Sequence, residues 1–98
     1  MADLKARLSR LYGSRLRGLF VFGSRARGEA DAESDVDVLV ILDDFAVYGQ
    51  ELERTSEARS DVSLAHDVSV SVVFVRERDW LSGSTPFLDN VRREAIAA

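Results

Sequence analysis

Hydrophobic and polar positions along the chain predict alternating helices and strands. Within residues 2–12, three leucines recur at helical spacing among basic residues, so this segment is predicted to form an amphipathic helix. The apolar and aromatic run of residues 18–22 ends at Gly23, which is typical of a buried strand before a turn. Asp35–Leu42 begins with polar side chains and continues as an apolar stretch, which predicts a second strand whose first residues reach solvent.

The second half of the chain continues this alternation. Residues 47–65 carry apolar side chains near helical spacing and predict one helix. In residues 68–75 apolar residues at first alternate with serines, which predicts a third strand, and residues 77–81 fit a short helical turn. Thr85 and Pro86 suit the cap and the first position of a last helix with an apolar stripe. The stripe consists of Phe87, Leu88, Val91 and Ala95.

This order of elements predicts a fold of the α/β class (α+β by some schemes), with a small three-stranded mixed sheet packed by helices. If the helix predicted over residues 47–65 is a crossover, the third strand runs parallel to the second. A chain of 98 residues can bury a modest core, so we expect one domain that spans residues 1–98.

Composition excludes several classes of protein. The chain has no cysteine, which rules out disulfide scaffolds, thiol catalysis and cysteine-ligated zinc. Its apolar stretches are far shorter than the roughly 18 residues that cross a bilayer. The N-terminal ten residues also lack the apolar core of a signal peptide. We therefore expect a cytoplasmic protein without membrane association.

The net charge of −4 conceals a segregation of sign. Residues 1–27 contain seven basic side chains and one acidic one, whereas residues 28–67 contain twelve acidic side chains and two basic ones. The overall acidity argues against direct nucleic-acid binding, for which a basic face is the usual feature. Both signs crowd around glycines between Arg25 and Asp37, where an anionic ligand and a cation could be bound together.

The segment after the first predicted strand combines groups suited to phosphate. Gly23 allows the backbone to turn tightly and to approach a ligand closely. If residues 24–27 start a helical turn, their amide groups form an anion site, and the hydroxyl of Ser24 adds a donor. Arg25 and Arg27 can supply charge-assisted hydrogen bonds to phosphate oxygens.

Asp35 and Asp37 lie two residues apart on the second predicted strand, so both carboxylates project from the same face. Their mutual repulsion is removed by a divalent cation, and Mg²⁺ binds one or two carboxylates together with substrate phosphates and water. Phosphate donors beside a carboxylate pair therefore indicate a site for a metal-bound nucleotide. Ordinary interpretations stay open, because a Gly-Ser pair usually forms a turn and an Asp-x-Asp pair usually marks an exposed strand end.

These residues carry a resemblance to a known family. The stretch GSRARGEADAESDVDV, residues 23–38, is similar to the signature of the nucleotidyltransferase superfamily that includes DNA polymerase β. That signature is a Gly-Ser pair, a spacer of about ten residues and an Asp-x-Asp pair. The short chain, with room for the catalytic core alone, resembles the minimal nucleotidyltransferases (MNT proteins). The resemblance implies a polymerase β-like nucleotidyltransferase core.

The resemblance also implies an activity. A nucleoside monophosphate, AMP from ATP in the simplest case, would be transferred to a hydroxyl acceptor. The family's Gly-Ser turn, here Gly23 and Ser24, binds the β- and γ-phosphates, and its catalytic Asp-x-Asp pair, here Asp35 and Asp37, binds two Mg²⁺ ions. Minimal members resemble antitoxins paired with a helical HEPN-domain toxin, which some of them modify with AMP. We therefore expect ATP, a HEPN-type partner and an oligomeric assembly.

The family's third carboxylate has no clear counterpart here. Residues 68–75 contain no acidic side chain, and the nearest candidate is Asp67, which shares the strand alternation of Ser69 and Ser71. Asp67 is our candidate for a third metal ligand, with an ordinary capping role as the alternative. Ser71 or Val73 at the family position would instead leave two carboxylates. This gap motivates an alternative function, a non-catalytic antitoxin that neutralises its partner by complex formation.

Overall fold

The computed structural model describes residues 2–23 and 35–98. These residues form a four-stranded mixed sheet with helices packed on both faces. None of the helices in these two ranges is long and apolar enough to cross a membrane. In chain order the elements are α1 (Ala2–Tyr12), a short 3-10 helix (Gly13–Arg15), β1 (Leu16–Phe22), β2 (Asp35–Leu42), α2 (Tyr48–Arg54), α3 (Ser56–His66), β3 (Ser69–Arg76), α4 (Glu77–Ser82), α5 (Pro86–Glu94) and β4 (Ile96–Ala97).

The strands are arranged in the order β3-β2-β1-β4. β1 is antiparallel to both β2 and β4, whereas β2 and β3 are parallel. A parallel pair needs a crossover connection, which α2 and α3 provide. The predicted mixed sheet and its parallel pair are therefore confirmed.

Two details differ from the predicted fold. The helix predicted over residues 47–65 is two helices, because Thr55 departs from helical geometry with φ −97° and ψ 0°. The buried hydroxyl of Thr55 donates to the backbone oxygen of Glu51 at 2.9 Å, which is the kind of local bond that competes with helix continuation. The sheet has four strands instead of three, because β4 pairs with Phe20 and Val21 of β1. Two residues are too few for an alternating pattern to reveal.

Alternate side chains of β2 enter two separate apolar layers. Its even-numbered residues pack in a layer with α1 and α3. Leu39 and Ile41 pack in the other layer, against Val91 of α5. Because side chains alternate along a strand, Asp35 and Asp37 share the face of Leu39 and Ile41. The acid pair therefore lies on the α5 side of the sheet.

The last helix begins as predicted from its capping residues. The Oγ1 atom of Thr85 accepts a hydrogen bond from the backbone N–H of Leu88 at 3.1 Å. Leu88 and Val91 from the predicted apolar stripe are buried, which anchors α5 on the sheet. Phe87 stays 42% exposed, and its ring meets that of Phe22 edge-on with a centroid distance of 5.8 Å. The helix thus packs beside the end of β1.

Candidate nucleotide-binding site

The end of β1 brings Gly23 against the carboxylate of Asp37. Phe22 pairs with Asp37 across the antiparallel ladder, so Gly23 follows directly at the mouth of the strand pair. Gly23 has a φ of +75°, and a Cβ atom built there would lie 2.5 Å from Oδ2 of Asp37. A glycine suits this position on both counts, since another residue would be strained in this conformation and its Cβ atom would displace the carboxylate.

Small hydroxyl side chains border the acid pair on its other side. Asp35 is level with Ser69 of β3, and Asp37 is level with Ser71. Asp35 is exposed and Asp37 is half-buried, so both carboxylates are open to a ligand from solvent. Ser71 therefore lies beside Asp37. The sequence analysis named Ser71 as one of two residues that could occupy the position of the family's third carboxylate.

Asp67 occupies a different position from the one that the alternation predicted. It ends α3 in the left-handed region, with φ 52° and ψ 49°, and its side chain is exposed. β3 begins only at Ser69, so the strand alternation does not extend back to Asp67. Within residues 2–23 and 35–98, no group of three or more His, Cys, Asp or Glu side chains could hold a metal ion. The prediction that Asp67 is a third metal ligand gains no support from the fold.

Three residues predicted to bind phosphate, Ser24, Arg25 and Arg27, lie outside the described residues. The described part of the candidate site therefore consists of Gly23, which precedes them, and the acid pair. The predicted roles of Ser24, Arg25 and Arg27 rest on the sequence.

The structure adds a residue that the sequence analysis missed. The Oε1 atom of Glu94, the last residue of α5, accepts a hydrogen bond from the backbone N–H of Gly23 at 3.2 Å. Glu94 is half-buried and lies 71 positions away in the chain. The apolar stripe of α5 predicted which side of the helix faces the sheet, but no sequence signal indicated which strand end its last turn meets.

The donor set suits a hard cation held between protein and polyphosphate. Two carboxylates, those of Asp35 and Asp37, project from one face, and Asp37 touches the turn that precedes the predicted phosphate donors. Mg²⁺ prefers oxygen ligands and commonly uses one or two carboxylates, with phosphates and water completing its shell. Two described carboxylates are therefore sufficient for such an ion.

Comparison with known proteins agrees with this geometry. The nucleotidyltransferase domain family matches residues 1–95. The chain therefore belongs to the nucleotidyltransferase domain family, and the predicted resemblance is confirmed. Among curated proteins, a candidate protein adenylyltransferase of Methanocaldococcus jannaschii is 29% identical over 94 residues, which cover 96% of this chain and 90% of the relative.

Solved structures share the fold at lower identity. A toxin–antitoxin structure with AMP-PNP superimposes with a TM-score of 0.65 at 22% identity, over 97% of this chain and 69% of that chain. A complex of tri-AMPylated Shewanella oneidensis HEPN toxin with its MNT antitoxin gives a TM-score of 0.55 at 18% identity, over 96% of this chain and 67% of that chain. The fold of this chain is therefore the one that these structures share, as the resemblance to the minimal nucleotidyltransferases predicted.

Proposed function

We propose that this protein is a Mg²⁺-dependent nucleotidyltransferase that moves AMP from ATP to a hydroxyl group of a partner protein. The contact between Gly23 and the carboxylate of Asp37 carries the proposal, because it joins the predicted phosphate-binding turn to the predicted metal ligands. Membership of the nucleotidyltransferase domain family supports the class of reaction.

In this proposal the acid pair and the turn have separate tasks. Asp35 and Asp37 would hold the metal, and the turn that begins at Gly23 would bind the β- and γ-phosphates through the groups that follow it, Ser24 first. Two Mg²⁺ ions, when bound, supply charge neutralisation of the polyphosphate and activation of the acceptor hydroxyl. Binding in one fixed orientation accounts for much of the remaining acceleration, because phosphoryl transfer depends mainly on positioning and electrostatics.

The reaction forms one bond and breaks another. The acceptor oxygen bonds to the α-phosphorus of ATP, the bond from that phosphorus to the bridging oxygen breaks, and pyrophosphate leaves. The hydroxyl proton passes to solvent. Arg25 and Arg27 would neutralise charge on the departing pyrophosphate through charge-assisted hydrogen bonds.

The proposed acceptor is a hydroxyl of a HEPN-type protein, which would make this chain the antitoxin of the pair. Two relatives support this choice: the candidate protein adenylyltransferase, and the MNT antitoxin in complex with a tri-AMPylated HEPN toxin. Within residues 2–23 and 35–98 no third carboxylate joins Asp35 and Asp37 in a group that could hold a metal ion, and this observation favours the alternative, in which the protein neutralises its partner by complex formation alone.

Intact-mass spectrometry of the partner separates the two functions. The protein is incubated with a HEPN-domain partner, ATP and Mg²⁺, and the partner is expected to gain the mass of one or more AMP groups. Asp35→Asn and Asp37→Asn should each slow this gain by about 100-fold or more, because each removes a carboxylate that would hold the metal ion. Asp79→Asn, an exposed acid of α4, serves as the matched control and should leave the rate unchanged.

Transfer at the normal rate by both site variants would refute the assignment of the acid pair. Inhibition of the partner without any gain of mass would refute transfer and establish neutralisation by complex formation. Circular dichroism of each variant verifies that the fold is retained.

A further inference from the structure

We propose that Glu94 is a positioning residue of the nucleotide site, whose carboxylate fixes the turn at Gly23 and so sets the distance between this turn and Asp37. The inference rests on the proposed function, because it assigns a further residue to the same site. Glu94 would act through the backbone and would touch neither the nucleotide nor the metal.

Two carboxylates of different elements lie beside Gly23. The side chain of Asp37 occupies the space that a Cβ atom of residue 23 would take, and Oε1 of Glu94 accepts the N–H of Gly23 at 3.2 Å in a partly buried contact. Gly23 is at the end of β1, where ladder hydrogen bonds no longer determine the path of the chain. Since a hydrogen bond to an ionised acceptor is roughly twice as strong as a neutral one, Glu94 can orient this peptide group.

Glu94 is itself held on a rigid support. Val91, one helical turn earlier, is 2% exposed in the apolar layer, and Arg92 donates to the carbonyl oxygens of Trp80 at 2.6 Å and Gly83 at 2.7 Å. Two residues after Glu94, β4 pairs with β1. The chain is thus fixed on both sides of Glu94, so its carboxylate reaches the end of β1 from a defined position.

In this arrangement Gly23 and the groups that follow it have different roles. The N–H of Gly23 is engaged by Glu94 and is therefore not a free phosphate donor. In the proposed function the phosphate donors would be the groups that follow Gly23, so the orientation of the Gly23 peptide would affect binding of the phosphates. A carboxylate at this point also repels a polyphosphate, which argues against direct contact between Glu94 and the phosphates.

Glu94→Ala and Glu94→Gln test the proposal with two measurements. Removal of the acceptor should raise KM for ATP about tenfold and change kcat less than about twofold, since the turn binds ground and transition states alike. Glu94→Gln keeps a carbonyl acceptor at the same length and should stay within about threefold of the parent. Amide hydrogen exchange at Gly23, followed by NMR without nucleotide, should accelerate about tenfold in Glu94→Ala alone.

Glu94→Asp and Glu53→Ala complete the set. Glu94→Asp keeps the charge with one methylene less, so it should behave like Glu94→Ala and replaces that variant if the latter does not fold. Glu53→Ala removes an exposed carboxylate of α2 and should match the parent in every measurement.

Several results would overturn the proposal. A lower thermal midpoint with unchanged KM and unchanged Gly23 exchange would make Glu94 purely structural. Tighter ATP binding in Glu94→Ala, measured by calorimetry with Mg²⁺, would make Glu94 a competitor of the phosphates. If no variant transfers AMP while Gly23 exchange and ATP affinity change as expected, the proposed transfer fails and the positioning role stands.

Discussion

Two glycines with positive φ differ in what surrounds them. Gly13, which follows α1, has a φ of +58° and open space within 4 Å of the position that a Cβ atom would take. Gly23 has a φ of +75° and the carboxylate of Asp37 in the corresponding space. The first glycine is needed for backbone conformation alone. The second is needed for backbone conformation and for the approach of a candidate metal ligand.

This difference predicts separate outcomes for Gly13→Ala and Gly23→Ala. Both place a side chain in the left-handed region and should lose about 1–2 kcal/mol of unfolding free energy in urea titrations. Only Gly23→Ala displaces Asp37, so only this variant should lose AMP transfer at temperatures where both are folded. Equal transfer rates in the two variants would contradict the role assigned to the Gly23–Asp37 contact.

At the scale of elements, α5 links the apolar core to the candidate site. Its first turn is capped by Thr85, its middle is buried through Leu88 and Val91, and its last residue contacts Gly23. Anything that loosens the start of this helix therefore weakens the support of its end.

Thr85→Ala is expected to lower the unfolding free energy by about 1 kcal/mol, since it removes the acceptor for the N–H of Leu88. Thr85→Ser keeps that acceptor and should recover most of the loss. Ser84→Ala, at the neighbouring exposed position, is the control and should be close to neutral. Urea midpoints at constant m-value measure all three, and equal midpoints for Thr85→Ala and Ser84→Ala would refute the capping role.

A second contact between elements is buried and polar. The hydroxyl of Tyr12 in α1 donates to Oε1 of Glu51 in α2 at 2.8 Å, and Glu51 is only 3% exposed. Burial, together with this hydrogen bond, raises the pKa of Tyr12 well above its usual range. The contact joins the two helices on the side of the sheet opposite the candidate site.

At the scale of the whole molecule, two half-buried carboxylates connect distant segments. Asp3 accepts hydrogen bonds from Arg7 at 2.9 Å and contacts His66 of α3 at 3.2 Å. Asp43, just after β2, accepts from the backbone N–H of Asp44 at 2.7 Å and from Arg15 at 3.1 Å. The contact between Asp3 and His66 joins α1 to α3, and the hydrogen bond between Arg15 and Asp43 joins the 3-10 helix to the end of β2.

The decrease of the unfolding free energy at acidic pH should depend on the carboxylates of Asp3 and Asp43. The hydrogen bond from Arg7, followed by that from His66, lowers the pKa of Asp3 below 3.8, and the N–H of Asp44 with Arg15 lowers the pKa of Asp43 below the same value. A lowered folded-state pKa contributes stability that is present above the unfolded value and is lost as pH falls through the folded value.

The double variant Asp3→Asn, Asp43→Asn is therefore expected to reduce the loss of stability between about pH 4 and pH 2, where unfolded aspartates take up protons first. Urea midpoints across this range measure the slope, with Asp79→Asn as the control. If the urea midpoint of the double variant falls with pH as steeply as that of the parent protein, other groups account for the loss of stability at acidic pH.

The local part of the fold could be predicted because neighbouring residues determine it. The polar start and the apolar run that follows it predicted the observed bounds of Asp35–Leu42, and the Thr85-Pro86 pair predicted the start of α5. The division of the helix at Thr55 and the pairing of β4 escaped prediction, because one depends on a buried hydroxyl and the other on a strand distant in the chain.

The candidate site also combines features that neighbouring residues determine with features that depend on tertiary packing. The sequence alone determined that Asp35 and Asp37 share a face and that a glycine turn ends the preceding strand, because strand periodicity and chain adjacency need no tertiary information. Only the tertiary structure decided that Glu94 reaches Gly23 and that Asp67 turns away from the strand alternation. Both outcomes depend on how a helix end meets the sheet, and this is set by packing between segments that are far apart in the chain.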